Sequence, residues 1–154
     1  MKKNFYIFLL LLFLSSCGYE AMYSLKNRSN YNFSIIDLNF IGDRDINIKI
    51  KEKLNNYTLN QKEKKFILNI STNSQKIITS KNIAGDATSF QNIITLNIEV
   101  LMKDGFKNSF IISEKFNYNS ATNKFDLKIY EKEIKNNLTE TATNKLIFKL
   151  SNIK

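Results

Sequence analysis

Two runs of alternating apolar residues meet at Asp104-Gly105, and no other feature narrows the possible folds as far. Before the turn, Ile94, Leu96, Ile98, Val100 and Met102 share one parity, while Thr95, Asn97, Glu99 and Lys103 take the other. After it, Phe106, Phe110, Ile112, Phe116 and Tyr118 return on the even positions. Alternation with period two is the mark of strands with one face buried. The loop length then follows from face matching. A two-residue Asp-Gly loop would turn the two apolar sets to opposite faces. A three-residue loop, Lys103-Asp104-Gly105, sets Met102 against Phe106, Ile98 against Phe110 and Leu96 against Ile112. The sequence therefore predicts a hairpin closed by three residues, with Gly105 left-handed in a bulge.

An apolar sheet face has to be covered, and two segments carry the helical period for that task. From Thr122 to Asn152, the residues Leu127, Tyr130, Ile134, Leu138, Ala142, Leu146, Leu150 and Ile153 recur every three or four positions. A helix of about thirty residues is some 45 Å long, enough to cross the sheet. Glu131 and Lys135 are expected to pair across one turn on its outer surface. Earlier, Asp43 follows Gly42 as an N-cap, and Ile46, Ile50, Leu54 and Tyr57 form one face of a shorter helix. Lys49, Lys51, Glu52 and Lys53 fall largely on its other face. Asp43-Arg44-Asp45 reads as helix-start chemistry rather than a cation site.

Two more strands complete the pattern. Phe33–Ile41 carries apolar residues on both parities, which predicts a strand buried on both faces. Residues 65–80 read as a long strand, through Phe66, Leu68, Ile70, Ile77 and Ile78, with a bulge expected in Thr72–Gln75 and a turn at Gly85-Asp86. The element order β-α-β-β-β-α predicts an α+β two-layer sandwich, two helices packed on a mainly antiparallel four-stranded sheet. A single domain over residues 33–154 is expected.

Composition removes most catalytic chemistry. The 154 residues contain no His and one Cys, which excludes Ser-His-Asp and Cys-His relays, His-ligated metals and a disulfide framework. Pro is absent and Gly numbers only four, so there is no Gly-rich phosphate loop. The 14 acids are scattered, with no pair placed as a carboxylate dyad. No enzyme activity, metal or bound cofactor is expected.

The chain starts MKKNFYIFLLLLFLSSC. Lys2 and Lys3 precede the apolar run Phe5–Leu14, about half of what a membrane-spanning helix needs, as in a secretory signal. Leu14-Ser15-Ser16-Cys17 then resembles the bacterial lipobox. That resemblance implies a signal peptide over residues 1–16, a diacylglycerol thioether and an N-acyl chain on Cys17, and a lipidated tether over 17–32. Two or more acyl chains anchor stably, whereas one does not. The plainer alternative is an ordinary buried cysteine behind an ordinary signal peptide; its place at the end of the apolar run favours the lipid. Residue 18 is Gly and not the Asp that retains enterobacterial lipoproteins at the inner membrane, so the expected location is the periplasmic face of the outer membrane. Loss of Lys2 and Lys3 would take the net charge from +9 to +7. A secreted protein meets little nucleic acid, so the polyanion to consider there is the phosphorylated glycolipid of the outer membrane. Neutral hydrogen-bonding residues are abundant: Asn27, Asn30, Asn32, Ser34, Asn82, Ser89, Asn92, Asn117, Asn119, Ser120 and Asn123 fall in the tether, strand ends and loops.

Several short motifs occur in an order similar to that of the LPS-assembly lipoproteins, the LptE family. They are Cys17-Gly18-Tyr19 followed by Met22-Tyr23, and Gly42-Asp43-Arg44 opening a helix that carries Leu54. Gly85-Asp86-Ala87-Thr88 before a strand, Phe116-Asn117-Tyr118 at the end of the hairpin, and a last helix with Glu131, Leu138, Ala142, Leu146 and Leu150 follow. The resemblance covers nearly all of the mature chain and implies a two-layer α/β fold and a non-enzymatic role. Such proteins plug the lumen of the LptD outer-membrane barrel, help it assemble, and assist lipopolysaccharide on its way to the cell surface. The family often shows a basic residue at the strand-turn-strand tip, but Asn82, Ile83, Ala84, Gly85 and Asp86 stand there. Lys76 and Lys81 nearby, or Lys124 and Lys128 at the start of the last helix, are the candidates for lipopolysaccharide contact. The alternative is a periplasm-facing lipoprotein that binds a hydrophobic ligand or another envelope protein.

Overall fold

The hairpin forms as its face matching requires. In a computed structural model that describes residues 31–58 and 62–153, Leu96 lies opposite Ile112 and Ile98 opposite Phe110. The Met102 amide donates to the Phe106 carbonyl at 3.0 Å, and the Gly105 amide, at φ +89°, donates to Met102 at 3.1 Å. The loop therefore has three residues. Expectations for residues 1–30, the anchor at Cys17 included, lie outside the described residues.

Around the hairpin the order is β1 (Phe33–Gly42), α1 (Arg44–Leu54) ending in a 3-10 turn (Asn55–Tyr57), β2 (Lys64–Lys81), β3 (Ala87–Met102), β4 (Lys107–Asn119) and α2 (Lys124–Ser151). The strands lie in the order β1-β2-β3-β4, with β1 and β2 parallel and the other neighbours antiparallel. α1 packs on β1 and on α2, and α2 packs on β3 and β4. The protein is the expected α+β two-layer sandwich. Phe66, Leu68, Ile70, Ile94, Leu96, Ile98 and Val100 form the buried sheet face. Ile46, Ile50 and Leu54 from α1, and Ile134, Leu138, Ala142, Leu146 and Leu150 from α2, close over it. Fully burying each such large aliphatic side chain is worth about 1.5–3 kcal/mol against leaving it in water.

One junction ties four elements together. Gly42 ends β1 at φ +101°, and a Cβ there would stand 1.9 Å from the Thr72 carbonyl oxygen of β2. The close approach lets the Asp43 amide donate to that same oxygen at 3.2 Å. Asp43 Oδ1 caps α1 by accepting from the amides of Asp45 (3.1 Å) and Ile46 (3.2 Å). Its Oδ2 takes the Lys135 ammonium of α2 at 2.7 Å. Thr72 Oγ1 lies 2.6 Å from Asn47 Oδ1. Burial of the Asp43 carboxyl is the largest single influence and acts upward, but Lys135 and the two cap amides together hold its pKa below the usual carboxylate value.

Several expectations change in detail, each for a local reason. β1 is an edge strand and not buried on both faces, since Ile36 and Ile41 are exposed. A one-residue slip between Ile35 and Asp37 reverses its parity, so Phe33 and Ile35 before the slip and Leu38 and Phe40 after it align with the core side of β2. The irregularity in β2 falls between Ile78 and Lys81 rather than in Thr72–Gln75, where the junction holds Thr72 in register. Glu131 and Lys135 do not pair with each other, because each meets a charge on another element. Ser34 and Asn92 are buried and do not belong to the neutral surface. Tyr130, placed on the apolar stripe, stays half-exposed at the edge of the core.

Candidate functional site

The connection between strands brings the four candidate lysines to one end of the molecule. β4 runs toward its end at Asn119, which pairs with Ser89 beside the β2–β3 turn, and α2 starts five residues later. α2 then runs back, so that the Lys64 ammonium meets the Ile153 carbonyl at 2.6 Å at the other end. Lys81 at the end of β2 and Lys124 and Lys128 in the first turns of α2 therefore share the distal end with Lys76. Lys124, Lys128, Glu131 and Lys135 follow one another at steps of four, three and four, along one flank of the helix.

The four lysines differ in what surrounds them. The Lys76 ammonium pairs with Glu131 and stands 4.0 Å from the Phe90 ring centre. Glu131 also accepts the Tyr118 hydroxyl at 2.9 Å, and Asn92 Oδ1 lies 3.4 Å from that hydroxyl. Tyr118 is 6% exposed. Burial, and then the Glu131 charge, push its pKa well above the ordinary phenol value. Lys76 is thus neutralised and fixed as a brace between β2 and α2. Lys81, Lys124 and Lys128 are exposed and have no acidic partner among the described residues. Phe125, 69% exposed, and Ile83 in the turn, fully exposed, put apolar surface beside them.

Sequence reasoning missed the bracing role of Glu131, Tyr118 and Phe90. The signal was present: Glu131 lies four residues after Leu127 and three before Ile134, at the margin of the apolar stripe and not behind it. Among the described residues no helix is long and apolar enough to cross a membrane.

No family model matches the sequence, and no curated protein matches it significantly. Solved structures do match the fold. A minor lipoprotein from Acinetobacter baumannii superposes with a TM-score of 0.58 at 12% identity, covering 79% of this chain and 91% of that one. Lipoprotein B from Nitrosomonas europaea gives 0.56 at 11%, covering 79% and 83%. The rare lipoprotein B of Shewanella oneidensis gives 0.55 at 13%, covering 75% and 91%. At such identities the likeness is one of fold: this two-layer sandwich is similar, over most of its length, to that of several bacterial lipoproteins.

Proposed function

We propose that this chain is an outer-membrane lipoprotein, anchored through Cys17 on the periplasmic face, that plugs and helps assemble an LptD-type β-barrel and assists lipopolysaccharide insertion. The observation that carries the reading is a fold similar to solved lipoproteins standing behind a lipobox cysteine in the same chain. Within it, Lys81, Lys124 and Lys128 are the phosphate contacts, because their charge is uncompensated. Lys76 positions the strand and helix that present them. Anionic glycolipid and unpaired ammonium groups attract at a range set by salt, with a Debye length of about 8 Å at physiological strength.

The test is an affinity pull-down from gently solubilised outer membranes. The acylated chain should bring down one large barrel at equal stoichiometry, and its depletion should lower the amount of assembled barrel. Cys17→Ser should accumulate as an unprocessed precursor that takes up no labelled palmitate. Recovery as a free monomer with barrel levels unchanged, or with a small hydrophobic ligand in place of a barrel, would refute the reading.

A further inference from the structure

Among the described residues the sheet has two free edges, and they are built differently. The outer edge of β1 is broken by the slip between Ile35 and Asp37, and Asp37 Oδ1 takes the Leu38 amide at 2.9 Å. Breaks and edge carboxylates of this kind are common guards against the addition of a further strand. β4 has no such break: its thirteen residues, Lys107 to Asn119, follow β3 without a register shift. The Met102 amide bonds Phe106, the Ser120 amide bonds Thr88, and the pairs between alternate in kind. The even residues of β4 therefore turn their amides and carbonyls to β3, while Ser109, Ile111, Ser113, Lys115 and Asn117 turn theirs outward. None of these outward groups has a partner among the described residues. Ile111 and Phe116, 65% and 45% exposed, stand along the same edge.

We infer that a second copy of this chain joins at β4, antiparallel about Ser113, so that the two copies share one eight-stranded sheet. The side chains select both the occupant and the register. Ser113 is the midpoint of β4, so a two-fold axis there pairs the strand from end to end. On the helix side it sets Phe110 opposite the partner's Phe116, twice over, an aromatic pair of the kind that stabilises sheets. On the open side Lys115 meets the partner's Ile111 and Lys107 meets the partner's Asn119, so no like charges face each other. Other axes do worse. One at Ile111 opposes Lys107 to Lys115, one at Ile112 opposes Phe110 to Glu114, and one at Glu114 opposes that carboxylate to itself.

The helices fit the same axis. α2 packs on β3 and β4, with Lys145 and Lys149 reaching from it to Glu114 and Phe110. Two strand spacings then separate the two copies of α2, about 10 Å, which is the distance of packed helices. Next to the Lys145 flank, Tyr130, Asn137, Thr141 and Phe148 recur at steps of seven, four and seven and are all exposed. This stripe has the spacing of a helix–helix seam and meets its antiparallel copy. The area also suits. A strand edge about 43 Å long and a stripe about 27 Å long, each about 10 Å wide, cover roughly 700 Å² per copy, near the 800 Å² of an ordinary stable interface. A chain seated one to one in a barrel is unpaired, so this dimer is a state of the chain outside it and does not rest on the function proposed above.

The experiment uses the full chain as its own cells process it, purified in mild detergent, with one cysteine placed on β4. Residues opposed as a hydrogen-bonded pair have Cα atoms about 5.5 Å apart, a distance that a disulfide spans. Ser113→Cys should therefore give a disulfide-linked dimer under mild oxidation. Ser109→Cys alone should not, because its two copies lie about 26 Å apart, but it should crosslink when mixed with Asn117→Cys. Cys17 is common to all these chains, so Ser109→Cys alone is also the control for it. Ile111→Pro, which removes only an outward amide, and Phe116→Asp, at a half-exposed site, should each weaken association about tenfold or more in sedimentation, with an unchanged thermal melt. A wild-type chain that sediments as a monomer at every concentration would overturn the inference. So would a disulfide from Ser109→Cys as strong as that from Ser113→Cys, or a dimer that both Ile111→Pro and Phe116→Asp leave intact.

Discussion

Replacing Gly42 by Ala tests the junction where β1, α1, β2 and α2 meet. Two costs add there. Gly42 sits at φ +101°, a left-handed conformation that costs an L-residue about 1–2 kcal/mol. The added Cβ would also lie 1.9 Å from the Thr72 carbonyl oxygen, a backbone atom within a paired strand that no rotamer change can move away. β1 and β2 would have to separate at this end, straining the Asp43–Thr72 amide bond and the contact between Thr72 Oγ1 and Asn47. At about 0.5–1.5 kcal/mol each, these bring the total to roughly 2–5 kcal/mol. That is a large part of the 5–15 kcal/mol typical of a domain. Gly105→Ala supplies the control: φ is +89°, but nothing lies within 4 Å of the new Cβ, so only the conformational cost of about 1–2 kcal/mol applies. Urea unfolding followed by circular dichroism, on chains starting at residue 18, measures both. A Gly42→Ala loss within about 0.5 kcal/mol of that for Gly105→Ala would refute the close-approach argument, since surface-site differences are of that size.

Three further expectations concern the core and the titrating groups. Leu138→Ala, in the buried stripe of α2, should cost about 2–5 kcal/mol by the same assay; a loss under about 0.5 kcal/mol would place Leu138 at the surface. The depressed pKa of Asp43 means its contribution is present above the ordinary aspartate pKa of 3.8 and is lost as pH falls through the folded-state value; Asp43→Asn keeps the cap acceptor but should show a flatter acid limb between pH 5 and 2, read from urea midpoints. The Tyr118 pKa is raised, so its neutral form stabilises the fold fully below the ordinary tyrosine value of 10.0, and that contribution disappears as pH rises through the folded-state pKa. Tyr118→Phe should therefore cost about 1–2 kcal/mol at pH 7 through the lost bond to Glu131, and the gap to wild type should narrow in strong alkali.

Which parts of this structure were legible in the sequence follows from the range of the forces involved. The β3–β4 hairpin and the stripes of α1 and α2 were legible because period and face matching are set by residues close in the chain. Asp43 was legible as a cap because its acceptor serves amides two and three residues on. What escaped depends on partners far along the chain. The slip at Ile36 is visible only once β1 is aligned with β2, some thirty residues away. Lys135 meets Asp43 across 92 positions, and Lys76 meets Glu131 across 55. No local period marks such a pair, so the sequence set Lys135 against Glu131 one turn away and left Lys76 as a candidate contact.

The long β2 strand separates the stable part of the molecule from the part that presents the lysines. The last pairing of β2 with β1 is Thr72 with Gly42, yet β2 continues to Lys81. Its final nine residues therefore reach about 30 Å with β3 as their only sheet neighbour among the described residues. A two-stranded ribbon alone is marginal in water, and this arm keeps its place through β4 and through the polar brace of Lys76, Glu131 and Tyr118 on α2. The isoleucines at 77, 78 and 83 contribute little there, being exposed. The brace explains why an α+β sandwich with a core around Leu68, Leu96 and Leu146 needs a helix of 28 residues: its proximal half closes the core and its distal half supports the arm. Lysines 53, 76, 107, 135 and 145 are spent on acids within the fold. Lysines 81, 124 and 128, which pair with no acid among the described residues, lie where the arm and the start of α2 come together, so the brace sets where they stand.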